Sequence, residues 1–345
     1  MASILKELIQ GGLVKVAKLP AKNDFPIENL NKLDGYTIPL MAHDYGAKTA
    51  VMWNTLYEKL GLNLRNIMVL ADPKNLEKIF NAFREDPKYF GGGAAGGLKE
   101  AVVKHLDEIR PPNLKSVNII VKEDGKLIGY NTDTYGFIRS LEEKFREIGS
   151  ELKGKKVVVF GAGGVAKEVV NLLAEKGVSS IYIVNRTFSK AVDLASRLNQ
   201  KYGDIAQGLG EELIRGIVLN SLSKPDALIN LTNKGSDGPL VDQSFLAPVD
   251  ECGNNETLAR QILEMLKGIN PNVLIGDIAL TKRGKTKTLA MAESYKIRNL
   301  LDGIPMVVYQ AGPAYLYIQN AHPDSHKKKV TLEEALEVFK VAAKN

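Results

Sequence analysis

The feature that most constrains this chain is a glycine-rich turn between a predicted strand and a predicted helix. The turn reads Gly161-Ala162-Gly163-Gly164-Val165-Ala166 and fits the pattern G-x-G-x-x-G/A. The apolar run at 156–160 predicts a buried parallel strand, and 165–176 predicts a helix. In this context the glycines permit a tight turn and let the backbone approach a pyrophosphate, while the helix N-terminus supplies N–H donors. The segment therefore predicts dinucleotide binding, although a βα turn with nothing bound fits the same pattern.

Predicted strands and helices alternate after this turn. Strands are predicted at 180–184, 227–230 and 272–277, and helices at 190–198 and 256–267. This alternation predicts an α/β fold with a right-handed, doubly wound parallel sheet. The rest of the chain is more mixed, with predicted helices at 49–60, 98–109, 136–148 and 331–343, and a hairpin at 116–130 around Asp124-Gly125. A length of 345 residues fits two domains.

The composition narrows the class of partner. Lys and Arg number 46 against 40 Asp and Glu, and the resulting charge of +6 is spread along the chain. Nucleic-acid binding needs a clustered basic face, so the charge favours an anionic small molecule or a phosphate-bearing cofactor. The single cysteine, Cys252, cannot form an internal disulfide. Charged residues near the N-terminus and the absence of an apolar run of about 20 residues predict a cytoplasmic protein without membrane contact. The four histidines show no metal-ligand spacing, so no metal site is predicted. Either a monomer or a homodimer is expected.

The residues that follow the second predicted strand indicate which dinucleotide would bind. An NAD site usually has an acidic residue there that binds the ribose 2′-OH. This strand instead ends in Asn185-Arg186-Thr187, with Lys190 behind it. Arg186 can pair with a 2′-phosphate and Thr187 can donate to it. We therefore expect NADP (NADPH), although Arg186 can also be read as a solvated surface charge.

At this point the sequence resembles the shikimate dehydrogenase family. The resemblance is carried by the stretch from Val157 to Ala195, by the segment from Gly129 to Phe137 (GYNTDTYGF), by Ser116-Val117-Asn118, by the loop from Asn230 to Gly235, and by the segment from Asp302 to Ala311. It implies a substrate-binding domain of residues 1–134, completed by 306–345, and a Rossmann-type NADP-binding domain of residues 135–305. It also implies reversible reduction of 3-dehydroshikimate to shikimate.

The resemblance assigns roles to individual residues. The catalytic Lys and Asp of the family fall on Lys99 and Asp133, and substrate binding falls on Thr49, Asn118 and Gln310. Cofactor binding beyond the glycine turn and the strand end falls on Asn230, Thr232, Gly303 and Met306. Chemistry supports an acid–base pair, because reducing a ketone by hydride transfer makes an alkoxide that needs a proton. Without the resemblance, Lys99 reads as a surface lysine in the first turn of the predicted helix at 98–109, and Asp133 as a helix N-cap.

The sequence departs from the family pattern at the substrate loop. The family's N-V-T-x-P-x-K corresponds to the stretch Gly93-Ala94-Ala95-Gly96-Gly97-Leu98-Lys99, so three side chains are missing. One N-terminal hydroxyl becomes Ala47, and the family's tyrosine aligns near Leu280. Each polar substrate group left unpaired costs about 1–3 kcal/mol, so these losses predict weaker binding of shikimate itself. The predicted substrate is shikimate or a relative such as quinate or an aminated analogue. Glycines 91–97 could instead offer backbone N–H groups to an anion or form a flexible loop.

Two further interpretations stay open at this stage. One is a non-catalytic NADP-binding ligand sensor on the same fold, suggested by the altered substrate loop. The other is a reductase of related architecture, such as a methylene-tetrahydropterin dehydrogenase, which no motif in the sequence supports. A glutamyl-tRNA reductase needs a nucleophilic cysteine in its N-terminal region, and Cys252 does not meet that requirement.

Overall fold

The computed structural model describes residues 4–18, 22, 24–43, 48–213, 224–250, 253–254 and 256–344. Two compact units make up the chain. The discontinuous unit comprises Met1–Asp133 and Val307–Asn345, and the continuous unit comprises Thr134–Met306. The predictions for Ala47 and Cys252 concern residues outside the described ranges.

Within these ranges the helices are α1 (Ile4–Gln10), α2 (Thr49–Leu60), α3 (Leu76–Glu85), α4 (Asp133–Glu147), α5 (Gly164–Glu175), α6 (Phe188–Tyr202), α7 (Glu256–Ile269), α8 (Lys287–Ser294), α9 (Ile304–Ala321) and α10 (Leu332–Ala342). The strands are β1 (Val14–Val16), β2 (Gly35–Thr37), β3 (Leu40–Met41), β4 (Leu64–Asn66), β5 (Val69–Ala71), β6 (Tyr89–Ala95), β7 (Glu108–Ile109), β8 (Ile119–Glu123), β9 (Lys126–Tyr130), β10 (Lys156–Phe160), β11 (Ser180–Val184), β12 (Ala206–Leu209), β13 (Ala227–Asn230), β14 (Val249–Asp250), β15 (Gly253–Asn254), β16 (Leu274–Asp277) and β17 (Asn299–Leu301). Short 3-10 helices lie at Ile27–Lys32, Pro73–Asn75, Val103–His105 and Glu211–Leu213.

The continuous unit is built on a parallel sheet with the strand order β12-β11-β10-β13-β16-β17. Alternate residues of β10 enter two different cores. Val157 and Val159 pack with the apolar faces of α5 and α6, and Val158 and Phe160 pack with those of α7 and α8. A parallel strand covered on both faces has to be apolar throughout, which explains the sequence KVVVF. The predicted doubly wound sheet is confirmed.

The discontinuous unit contains a mixed sheet with the order β1-β5-β3-β6-β8-β9-β7, in which β2 pairs with β4 and β6. The predicted hairpin is confirmed, since β8 and β9 pair antiparallel. Its turn has positive φ at Asp124 (49°) and Gly125 (79°), as a two-residue hairpin turn requires. The predicted C-terminal helix forms as α10 and begins with a capping box between Thr331 and Glu334.

The structure contradicts one prediction and one alternative interpretation for residues 91–109. No α-helix forms over 98–109. This stretch has turns at 99–102, continues into the 3-10 helix Val103–His105 and then pairs as β7 with β9. Leu98 and Val102 are buried by these turns, so their four-residue spacing does not mark a helix face. Glycines 91–93 do not form a flexible loop, since they lie in β6, which pairs with β8 on one side and with β2 and β3 on the other.

None of the helices in the described ranges is long and apolar enough to cross a membrane.

Candidate active site and cofactor turn

Lys99 and Asp133 form an ion pair in the discontinuous unit. Lys99 Nζ donates to Asp133 Oδ2 at 2.5 Å, and the two side chains are 37% and 9% exposed. Lys99 lies in a turn, and its carbonyl accepts a hydrogen bond from Val117 N, which ties the turn to the residues that lead into β8. The pair therefore has one buried member and one member that solvent or a ligand can reach.

Asn118 connects this pair to a second helix. Its Nδ2 lies 2.9 Å from Asp133 Oδ1, 3.0 Å from Thr132 Oγ1 and 3.0 Å from Gln310 Oε1. An amide has two protons, so three acceptors compete for two donors. A substrate hydroxyl could take the place of one acceptor without leaving the Asn118 amide unpaired. Lys99, Asn118, Thr132, Asp133 and Gln310 are called the Lys99 cluster below.

Thr132 is the member of the cluster that the sequence analysis did not single out. Its N–H donates to Asn118 Oδ1 at 2.9 Å, and its hydroxyl donates to Gln310 Oε1 at 3.1 Å. The sequence does contain a signal for Thr132, because this residue lies in the family-like motif Asn131-Thr132-Asp133. Both hydrogen bonds described for Gln310 use Oε1, which leaves its Nε2 as a donor for a ligand.

The start of α4 holds Asp133 in place. Asn131 Oδ1 accepts from Asp133 N at 2.9 Å, and Asn131 Nδ2 donates to Ser116 O at 3.0 Å. Asn131 therefore binds the first N–H of the helix that Asp133 opens and fixes the start of this helix to the chain before β8. Thr49 is the first residue of α2 and is half-buried. No hydrogen bond within the described ranges joins Thr49 to the Lys99 cluster.

The glycine turn of the continuous unit follows β10 directly. Gly161 has a φ of 116° and donates to Val184 O at 2.8 Å, and a Cβ there would lie 3.2 Å from Leu231 O. Gly163 is the N-cap of α5 and provides no side-chain cap. Ala162 and Ala166 are buried, and Val165 is half-buried.

The same turn has room for a bound dinucleotide. A Cβ placed on Gly163 or Gly164 would meet no atom within 4 Å. The N–H groups in the first turn of a helix have no partner within the helix, and no side chain at the N-cap takes them here. These residues therefore fit a pyrophosphate, which such N–H groups bind well.

The end of β11 carries the residues predicted to select NADP. Asn185 Nδ2 donates to Thr187 O at 2.9 Å, and Lys190 N donates to the same oxygen at 3.1 Å. Arg186, Thr187 and Lys190 are exposed. The guanidinium of Arg186 can thus meet a phosphate in solvent at the carboxyl edge of the sheet, where open α/β sheets bind ligands.

The loop after β13 is held by a buried carboxylate that the sequence analysis missed. Asn230 and Asp277 are opposite one another at the ends of β13 and β16, and Asn230 Nδ2 donates to Asp277 Oδ1 at 2.8 Å. Burial raises the pKa of Asp277 to about 6, against hydrogen bonds from Thr286, Asn230 and the Ala279 amide that lower it. The other predicted cofactor residues differ in exposure: Thr232 and Met306 are half-buried, and Gly303 is buried.

His322 and His326, the only closely spaced histidines of the sequence, both bind backbone carbonyls. His322 Nε2 lies 3.2 Å from Phe90 O, and His326 Nδ1 lies 2.9 Å from His322 O. Burial lowers the pKa of both imidazoles. In the described part of the chain, no group of three or more His, Cys, Asp or Glu residues could hold a metal ion.

Comparison with known proteins gives one consistent family. Residues 143–232 match the family model described as shikimate / quinate 5-dehydrogenase. A shikimate dehydrogenase (NADP(+)) from Geobacillus sp. (strain WCH70) is 30% identical over 277 residues, which cover 75% of this chain and 89% of the relative. One from Halothermothrix orenii is 29% identical over 299 residues, covering 85% and 94% of the two chains.

A solved structure agrees at the level of the fold. Shikimate 5-dehydrogenase from Listeria monocytogenes, in complex with shikimate and NAD, is 24% identical and has a TM-score of 0.65. The match covers 88% of this chain and 96% of that one. With a relative at 30% identity matched over 89% of its length, this chain belongs to the shikimate dehydrogenase family.

Proposed function

We propose that this protein is an NADP-dependent alcohol dehydrogenase. It transfers hydride reversibly between NADPH and a cyclic keto or hydroxy acid, such as 3-dehydroshikimate and shikimate or a relative. The observation that carries this proposal is the Lys99–Asp133 pair, with 2.5 Å between Nζ and Oδ2, held beside Asn118 and Gln310. Relatives of similar length bear the name shikimate dehydrogenase (NADP(+)).

The pair can manage the proton that the reaction needs. Bound NADPH would supply a hydride to the carbonyl carbon of the substrate. The oxygen then gains negative charge, and Lys99 Nζ is the acid positioned to donate a proton to it. Asp133 holds the ammonium of Lys99 in place and is itself fixed by Asn118 Nδ2 and by Asn131. In the reverse direction neutral Lys99 accepts the proton of the substrate hydroxyl.

The Lys99 cluster also has groups to bind the hydroxyls of a ring. Gln310 Nε2 and Lys99 Nζ can donate to them, and Asp133 can accept from them. Gly93, Ala95 and Gly97 add no polar side chain. The polar side chains assigned to substrate recognition in the described residues are therefore concentrated in the Lys99 cluster and at Thr49.

The cofactor binds through the continuous unit. The first turn of α5 would hold the pyrophosphate, and Arg186 with Thr187 and Lys190 would hold the 2′-phosphate. A charge-assisted pair of this kind contributes about 1.5–3 kcal/mol, so NADP should bind more tightly than NAD. Partners are small molecules and not nucleic acid, because the excess of six positive charges is spread along the chain.

A screen of coenzyme reduction tests the proposal. Purified protein is supplied with NADP+ or NAD+ and with shikimate, quinate and cyclic polyols that lack a carboxylate. We expect turnover with at least one cyclic hydroxy acid and faster reduction of NADP+. NADPH binding without turnover of any alcohol would refute the enzyme and support a ligand sensor on the same fold.

A further inference from the structure

Asp277 is a buried carboxylate next to the predicted cofactor site that no step of the proposed reaction uses. It ends β16 and is 1% exposed. Oδ2 accepts from Thr286 Oγ1 at 2.7 Å, and Oδ1 accepts from Asn230 Nδ2 at 2.8 Å and from Ala279 N at 3.1 Å. Burying a carboxylate is unfavourable unless hydrogen bonds compensate it, and the hydrogen bonds made here point to what the residue holds.

The side chain of Asn230, one of the partners of Asp277, has no hydrogen-bonding group left for a ligand. Its Oδ1 accepts from the N–H and the hydroxyl of Thr232 at 2.9 and 2.6 Å. Its Nδ2 donates to Lys234 O at 3.0 Å as well as to Asp277. Two donors and two acceptors are thus all used inside the protein, and Asn230 is 0% exposed. The side chain of Asn230 therefore shapes the loop at 231–235, and the cofactor contact predicted for Asn230 finds no free polar group on this side chain.

This loop lies against the glycine turn. A Cβ on Gly161 would be 3.2 Å from both Leu231 O and Thr232 Cγ2. The far end of the loop is fixed by Lys234 Nζ, which donates to Glu211 Oε1 and to Ala247 O, each at 2.9 Å. The near end of the loop is fixed from two neighbouring strands: Leu231 N donates to Phe160 O of β10 at 2.8 Å, and Asp277 of β16 accepts from Asn230 Nδ2.

We infer that Asp277 is a positioning residue for cofactor binding, which acts through Asn230 to hold the loop at 231–235 beside the glycine turn. This inference rests on the proposed NADP binding. The group that matters is the acceptor Oδ1, and the charge of the carboxylate is not required. An asparagine at 277 can still accept through Oδ1 from Asn230 and donate through Nδ2 to the hydroxyl of Thr286.

Titration of purified variants with NADPH, followed by its fluorescence, separates these groups. Asp277→Ala removes the acceptor and should raise the Kd about tenfold or more. Asp277→Asn keeps the acceptor and should leave the Kd close to the wild-type value. Thr286→Val removes the contact to Oδ2 and the N-cap hydrogen bond from Leu289 N, but it leaves the Asn230–Asp277 contact intact. It should therefore lower the free energy of unfolding without changing the Kd.

Two further measurements address the case in which Asp277→Ala does not fold and test whether its effect on NADPH binding passes through the loop at 231–235. If Asp277→Ala is unfolded, Asn230→Ala removes this hydrogen bond from its other end, together with the one to Lys234 O, and should raise the Kd at least as much. A double-mutant cycle with Thr232→Ala should be non-additive, because both changes act on one loop.

The outcomes distinguish this inference from the proposed function. Wild-type protein that does not bind NADPH would refute both. If wild-type protein binds NADPH, the inference alone fails when Asp277→Ala and Asn230→Ala bind as tightly as the wild type. It fails equally when Thr286→Val or Asp277→Asn raises the Kd as much as Asp277→Ala.

Discussion

Two glycine-rich segments of this chain look alike in sequence and serve different purposes. In the discontinuous unit, glycines 91–93 lie in a strand that is paired on both sides, and a Cβ on Gly92 would lie 2.2 Å from Ile38 O. In the continuous unit, a Cβ on Gly163 would meet nothing within 4 Å. Glycine is required at position 92 because other atoms of the protein already fill the space of a side chain. At position 163 the protein leaves that space open, so glycine is required there only if a ligand occupies it.

Gly92 and Gly163 differ in what their missing side chains permit. Gly92 permits two backbones of the same sheet to approach, whereas Gly163 stands at the start of a helix with a φ of −80°, which any residue can adopt. Nothing in the fold of the described residues explains Gly163, and a pyrophosphate at the helix N-terminus does. The contrast yields predictions of decreasing size.

The largest effect is expected for Gly92→Ala. The added Cβ overlaps the backbone of Ile38, which cannot move without breaking the sheet, so the free energy of unfolding should fall by about 3 kcal/mol or more. Trp53 is the single tryptophan of the sequence and is buried in the discontinuous unit, so its fluorescence during urea unfolding reports this change. A wild-type midpoint for Gly92→Ala would contradict the close packing at β6.

A smaller and different effect is expected for the matched change Gly163→Ala. The methyl group occupies space that the protein leaves open, so urea unfolding should be unchanged. It would nevertheless keep a pyrophosphate from the backbone, and the Kd for NADPH should rise about tenfold, equivalent to about 1.4 kcal/mol. Tight NADPH binding by this variant would show that the turn does not hold the cofactor.

The sequence predicted the continuous unit better than the discontinuous one. Strands such as β10 are continuous apolar runs, and helices such as α5 repeat their apolar residues at a period near 3.6, so short windows suffice. The strand β6 reads YFGGGAA and has few residues that favour strands. Its pairing with β2, β3 and β8 depends on distant segments, which no local pattern reveals. For the same reason the stretch 98–109 was predicted as a helix.

The candidate site shows the same limit. Asn118 and Gln310 are 192 residues apart in sequence, yet Asn118 Nδ2 lies 3.0 Å from Gln310 Oε1. The family resemblance predicted that both bind substrate, whereas their spacing in the sequence did not. Asp277 was missed because its importance arises from the register of β13 against β16, which places it opposite Asn230. A carboxylate at the end of an apolar strand is ordinary in sequence, and only its burial and hydrogen bonds distinguish it.

The most direct test of the account is the turnover of Lys99→Met on the best substrate from the screen. Lys104→Met is the matched control, because Lys104 is an exposed lysine in the same stretch. We predict that kcat of Lys99→Met falls about 10²- to 10⁴-fold, the usual contribution of a positioned acid or base. Its Kd for NADPH should stay at the wild-type value, and a cooperative urea transition should show that the variant is folded even though Asp133 has lost its cation. Lys104→Met should retain full activity. If Lys99→Met turned over as fast as the wild type, the acid–base assignment at the centre of this account would be wrong.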